Sequence, residues 1–273
     1  MFIRQLRLLA LLLLATLIAP LAFAQGMITL ADPGTLLLRG ASLYKVSPGV
    51  ALEDGDIVTV DGKSQVQIEL TGGTLLALAG PGSLWLILPK GGTPTLTLPA
   101  GVLKAVIRAP GARVRTAAFD ASVADAIVVL RTELAAAEMF VESGSARLVN
   151  ATAAPRDAKR GDYWQKSLSA PFVNRLLPPR TFVDALPRNF MDALPTLGGG
   201  LKSKPPGATD HDISYAEAQP WLALDRVAFE KRFAVRLRDP GFRKAAEVDI
   251  RRYPAWDRML HPEKYQPTTA PAK

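Results

Sequence analysis

The sequence predicts a mainly β domain, sandwich or solenoid, followed by a small C-terminal α-helical domain. Three observations predict it. Short runs of alternating polar and apolar residues fill the first half. Turn residues recur about every ten positions between them. Beyond residue 214 the apolar spacing changes from two to four, the period of a helix.

Ahead of the β region stands a leader. Arg4 and Arg7 give a positive start, Leu8 to Leu21 is almost continuously apolar, and Ala22-Phe23-Ala24 follows. Its apolar core of roughly 14 residues is shorter than the ~20 that span a bilayer. This is the pattern of a signal peptide over 1–24, cleaved after Ala24. A short N-terminal segment, 25–33, precedes the β domain. The chain has no cysteine, which excludes thiol catalysis, cysteine metal sites and disulfides. Export without disulfides fits the periplasm of a Gram-negative bacterium. The net charge of +8 falls to +6 once Arg4 and Arg7 are lost with the leader. An exported basic protein does not meet chromosomal nucleic acid; its acidic partners are lipid headgroups, anionic glycans or acidic protein faces.

The β domain is placed at 34–165. In Gln65–Leu70 the alternation puts Val66, Ile68 and Leu70 on one face. Leu84–Leu88, Leu96–Leu98, Val102–Ile107 and Ala126–Leu130 read as further strands. Asp54-Gly55, Asp61-Gly62, Gly72-Gly73, Pro81-Gly82, Gly91-Gly92 and Pro110-Gly111 read as the turns between them. Glu138–Val141 and Ala146–Val149 read as a hairpin turning at Glu142–Ser145, and Asp162-Tyr163-Trp164 closes the domain with aromatic packing. A repeat segment and flexible linker occupy 166–213. Phe182-Val183-Asp184-Ala185-Leu186-Pro187 recurs as Phe190-Met191-Asp192-Ala193-Leu194-Pro195, each copy one or two helical turns ended by proline. Gly198 to Thr209, with its Gly-Gly-Gly and Pro-Pro, is the linker.

The helical domain spans 214–264. Ser214 and Glu217 form a capping box ahead of Trp221-Leu222. Phe229, Phe233 and Leu237 make one apolar stripe. Asp239-Pro240 starts another helix, with Phe242, Ala246, Ile250 and Tyr253 inward, and Pro254-Ala255-Trp256 begins a last one ending near Leu260. Residues 265–273 read as a disordered tail.

The region from 34 to 164 carries a set of short motifs. They are Gly34–Arg39 as first strand, Leu52-Glu53-Asp54-Gly55-Asp56-Ile57-Val58-Thr59, Ser64–Leu70 and Thr74–Leu78. Then come Leu98–Leu103, Ala112–Thr116, Val141–Ala146 and Gly161-Asp162-Tyr163-Trp164. Together they resemble the FecR-like domain, the periplasmic β module of ferric citrate-type regulators. Thr71-Gly72-Gly73 departs from the family's D-G-S turn. Only six or so residues stand where such a regulator has its cytoplasmic sigma-factor-binding region. The resemblance therefore implies the fold and an envelope setting, and not transmembrane signalling. The helical half, at Trp221-Leu222, Phe242-Arg243 and Pro254–Asp257, is similar to a segment of exported proteobacterial proteins that carry this module.

Candidate chemistry is sparse. Asp210-His211-Asp212 lies beside the linker, and His261 is distant; a metal site needs three or four convergent ligands on a rigid frame. Gly144-Ser145-Ala146 reads as a turn rather than a nucleophile elbow. Glu53, Asp54, Asp56 and Asp61 belong to turn chemistry. No catalytic residue, cofactor or metal ligand is assigned. One binding face is: Arg113 and Arg115 flank Val114 and project together, with Lys104 and Arg108 beside them. The reading is a non-catalytic periplasmic protein acting in protein–protein interaction or as an envelope scaffold. The alternative is an envelope polysaccharide- or peptidoglycan-binding module using the basic face.

Overall fold

The computed structural model describes residues 25–133, 135–151 and 153–265. The leader over 1–24 and the tail from 266 lie outside the described residues. The protein is mostly β with a small C-terminal helical part. Its strands are β1 (Gly26–Ala31), β2 (Thr35–Arg39), β3 (Ser42–Lys45), β4 (Ala51–Leu52), β5 (Ile57–Val60), β6 (Gln65–Leu70), β7 (Leu75–Ile87) and β8 (Thr95–Ile107). They continue as β9 (Ala112–Arg115), β10 (Asp120–Glu133), β11 (Ala136–Asn150), β12 (Ala153–Lys159), β13 (Tyr163–Ser167), β14 (Val173–Arg175) and β15 (Thr209–Asp212). All join one hydrogen-bonded sheet with a spine of β14-β13-β11-β10-β9-β8-β7-β5-β2-β3-β15. Strand pairing is antiparallel except between β8 and β9. The inward side chains, from Ile28 to Ala158, form a single apolar cluster. One sheet therefore curls over one core, in place of the parallel coils of a solenoid.

Four expectations from the sequence need correction. The segment 25–33 is not separate, because β1 sits between β4 and β6 with Ile28 fully buried. Pro81-Gly82 does not turn the chain: β7 runs through it with a register shift against β8. The expected hairpin at 142–145 is one strand, β11, carrying a bulge. Gly144 has φ +73, and a Cβ there would meet the Asp125 carbonyl oxygen at 2.4 Å, so the glycine admits a close approach rather than a reversal. The stretch 198–209 is docked rather than a free linker. Lys204 bridges to Val50 and exchanges backbone hydrogen bonds with Gly49 and Ala51, and β15 then pairs with β3.

Two covers sit on the outer face of the sheet. The first is a strap made by the repeat, α1 (Arg180–Val183) and a 3-10 turn at Arg188–Met191. It buries Phe182, Phe190 and Leu194 on the sheet. The second is the helical part: α2 (Tyr215–Leu224), α3 (Arg226–Phe233), α4 (Pro240–Glu247) and α5 (Pro254–Leu260). Both Ser214 Oγ and the Glu217 carboxylate complete the capping box of α2, and Asp239 caps α4. The Phe229 stripe is an α-helix that tightens to 3-10 at Ala234–Arg238, and Phe229, Phe233 and Leu237 are all buried. Leu38, Ile57 and Trp85 of the sheet share one apolar cluster with Trp221, Phe229 and Trp256. Arg232 fastens the cover, donating to the Gly40, Gly55 and Leu38 carbonyls at 2.7, 2.5 and 2.8 Å. The helices thus cover a face, while the β3 edge is closed by β15. No described helix is long and apolar enough to cross a membrane.

Candidate functional site

Register decides what the two covers leave open. Leu38, Ile57, Trp85 and Thr97 lie directly opposite one another on β2, β5, β7 and β8, and the first three lie under the helices. The next row along the same strands is Leu36, Thr59, Ser83 and Ala100. Leu36, Thr59, Ser83 and Ala100 are half-buried only. This row floors an apolar cleft of about 550 Å³ walled by Leu43, Ile213, Pro220 and Trp221. A second cleft of about 690 Å³ shares Pro81 and Ala100 with it and continues to Arg131, Glu133 and the strap's Ala185. The result is a trough between the two covers. Its floor is low where β7 and β8 meet, because Gly82 and Gly101 approach so closely that a Cβ on either would lie under 3 Å from the other's Cα. Thr132 lines the second cleft; it is 3% exposed, and its hydroxyl has no partner among the described residues.

The four expected basic residues do not form one face. Arg113 and Arg115 are exposed on β9 with Val114 buried between them, as the alternation requires. Arg108 is exposed and 3.6 Å from Asp125. Lys104 is a correction: it is 1% exposed, beneath the strap. Its Nζ donates to the Phe190 and Asp192 carbonyls at 2.7 and 2.9 Å and pairs with Glu142 at 2.9 Å. The alternation rightly turned Lys104 outward, but a strap 86 positions away in sequence covers it.

The remaining polar candidates have structural partners. Asp56 is buried and takes a two-pronged contact from Arg39, which also reaches Glu53. Asp54 accepts from the Leu88 amide and Asp61 from Ser64. Ser145 is within β11, not at an elbow. Among the described residues no group of three or more His, Cys, Asp or Glu is arranged to hold a metal.

His211 lies in β15, not in a loop, with Nδ1 2.9 Å from Asp210 and Nε2 2.8 Å from Glu217 of the capping box. Asp210 first, then Glu217, hold its pKa above the ordinary histidine value. The imidazolium is thus favoured in the folded state. Its contribution to stability is present below the ordinary histidine range, about 6.5, and is lost as pH rises through the raised value. NMR titration of His211 is expected to show that raised midpoint, and Asp210→Asn to bring it down. An unchanged midpoint in the variant would mean that Asp210 does not hold the proton.

No family model matches the chain, and no curated protein matches it. Among solved structures, two crystal structures of "a putative anti-sigma factor from Parabacteroides distasonis ATCC 8503", at 1.65 and 2.50 Å resolution, are similar to part of it. Their TM-scores are 0.42 and 0.41, each at 12% identity over 46% of this chain. The match spans 62% of the length of those structures.

Proposed function

We propose that the protein is a non-catalytic FecR-like module, exported to the periplasm, that recognises another protein of the envelope. The observation that carries this reading is the trough. From Leu36 to Ala100 its floor crosses four strands, about 14 Å at the usual strand spacing, room for an extended segment of about four residues. Its middle is apolar, with Trp221 and Pro220 on one wall. Arg131 and Glu133 stand at the end away from the helices. An apolar segment with one polar flank, supplied by a partner protein, fits this surface.

The test is site-specific photo-crosslinking in intact cells with a benzophenone amino acid at Ala100, and at the exposed Val248 as control. A discrete protein adduct is expected from position 100 and not from 248. Ser83→Arg, placed in the floor, is expected to abolish it without lowering the unfolding midpoint. An adduct that survives Ser83→Arg, or none at position 100, would overturn the reading.

A further inference from the structure

We propose that the outer face of β9 to β12 is a binding surface for a polysaccharide carrying carboxylate or phosphate groups along its length. It lies beyond the helical cover and is independent of the trough. Pairing registers put Thr95, Arg113, Ser122, Arg147 and Asp157 directly opposite one another on β8, β9, β10, β11 and β12. Directly opposed residues share a sheet face. On the adjoining rows lie Arg115 with Asp120, and Ser145 with Lys159. Cations and hydroxyls therefore alternate across the strands.

Arg113 is the central cation of this face. It is exposed and has no ion-pair partner among the described residues. The Thr95 and Ser122 side chains stand to either side, and a shallow cleft of about 510 Å³ lies over these three residues. Arg147 pairs with Asp157 at 3.3 Å and Arg115 with Asp120 at 3.6 Å, but the acids are 83% and 38% exposed. Such pairs are weak and exchange readily for another anion. Between Arg115 and Trp85, Thr97 is 4% exposed with its hydroxyl unpartnered, at the margin where the cover stops.

Arg113 and Arg147 are two strands apart, about 9–10 Å. That is comparable to a disaccharide in an extended glycan, so acidic groups on alternate sugars reach both guanidiniums. A sugar hydroxyl in between meets Ser122, and one beyond Arg113 meets Thr95. A guanidinium takes a carboxylate or phosphate through two parallel hydrogen bonds. A membrane is the poorer occupant, since Val149 is the large apolar side chain exposed on these rows and nothing there would insert.

The test is titration of the mature protein with polygalacturonate, with neutral dextran as control. Binding to polygalacturonate alone, weakened by salt, is expected. The double variant R113Q/R147Q is expected to weaken it at least tenfold. R243Q/R252Q removes the same charge from the helical part, at two arginines paired with the exposed Glu247 and the half-buried Asp249, and is expected to leave binding within twofold. Equal losses in the two double variants would reduce the effect to net charge and overturn the proposal. So would no binding to polygalacturonate, or binding only to phosphatidylglycerol vesicles.

Discussion

Trp256→Ala is expected to cost about 3–5 kcal/mol and to loosen the helical cover from the sheet. Trp256 is fully buried, its ring 5.8 Å from Phe242 and 5.0 Å from Tyr253. Its indole N–H donates to the Glu230 carbonyl at 2.8 Å, joining α5 to α3. Truncation opens a cavity and strands that carbonyl, two penalties at once. The neighbouring Glu230 side chain adds to the sensitivity. It is 4% exposed, and burial raises its pKa while Arg226 and the Ala255 amide oppose that shift. Urea unfolding followed by circular dichroism, with limited proteolysis of residues 214–264, checks the expectation. Met259→Ala, at a side chain 58% exposed on the same helix, is the control and should stay within about 0.5 kcal/mol. Similar losses in both would mean that Trp256 is not central to the cover.

Lys104→Met should destabilise by about 3 kcal/mol, the low end for breaking a buried pair, because Glu142 keeps 28% exposure. The loss comes from what is left behind: the Glu142 carboxylate and two strap carbonyls, all without their cation. Lys104→Met with Glu142→Gln is therefore expected to be more stable than Lys104→Met alone. Proteolytic cleavage should rise first within the strap. Phe182 and Phe190 remain as its apolar anchors, so the strap should loosen rather than the whole protein unfold. An equal cost in the single and double variants, or no change in strap cleavage, would show that Lys104 does not hold it.

Lys104 also illustrates how much of the site was legible in the sequence. Its direction out of the core was legible, since Leu103 and Ala105 on either side are buried inward. Its surroundings were not, because the Phe190 and Asp192 carbonyls come from a segment whose docking no local signal reports. Arg113 and Arg115 kept both direction and exposure, because no later described segment covers their side chains. The trough was invisible beforehand. Leu36, Thr59, Ser83 and Ala100 are unremarkable residues in four separate segments, and only pairing register puts them in a row.

The sequence by itself determined what is settled within a few residues. The two-residue alternation made the strands, as in Val66, Ile68 and Leu70. The hydroxyl and carboxylate caps at Ser214, Glu217 and Asp239 started helices where they stand, since a cap acts on amides two or three positions away. Only the tertiary structure decided whether Gly144 and Pro81 reverse the chain or bend it, because that depends on the strand alongside. It also decided that residues 198–209 lie along a sheet edge and that β1 enters the sheet between β4 and β6. Those outcomes come from backbone hydrogen bonds and apolar contacts between segments tens of residues apart, whose pairing no local pattern specifies.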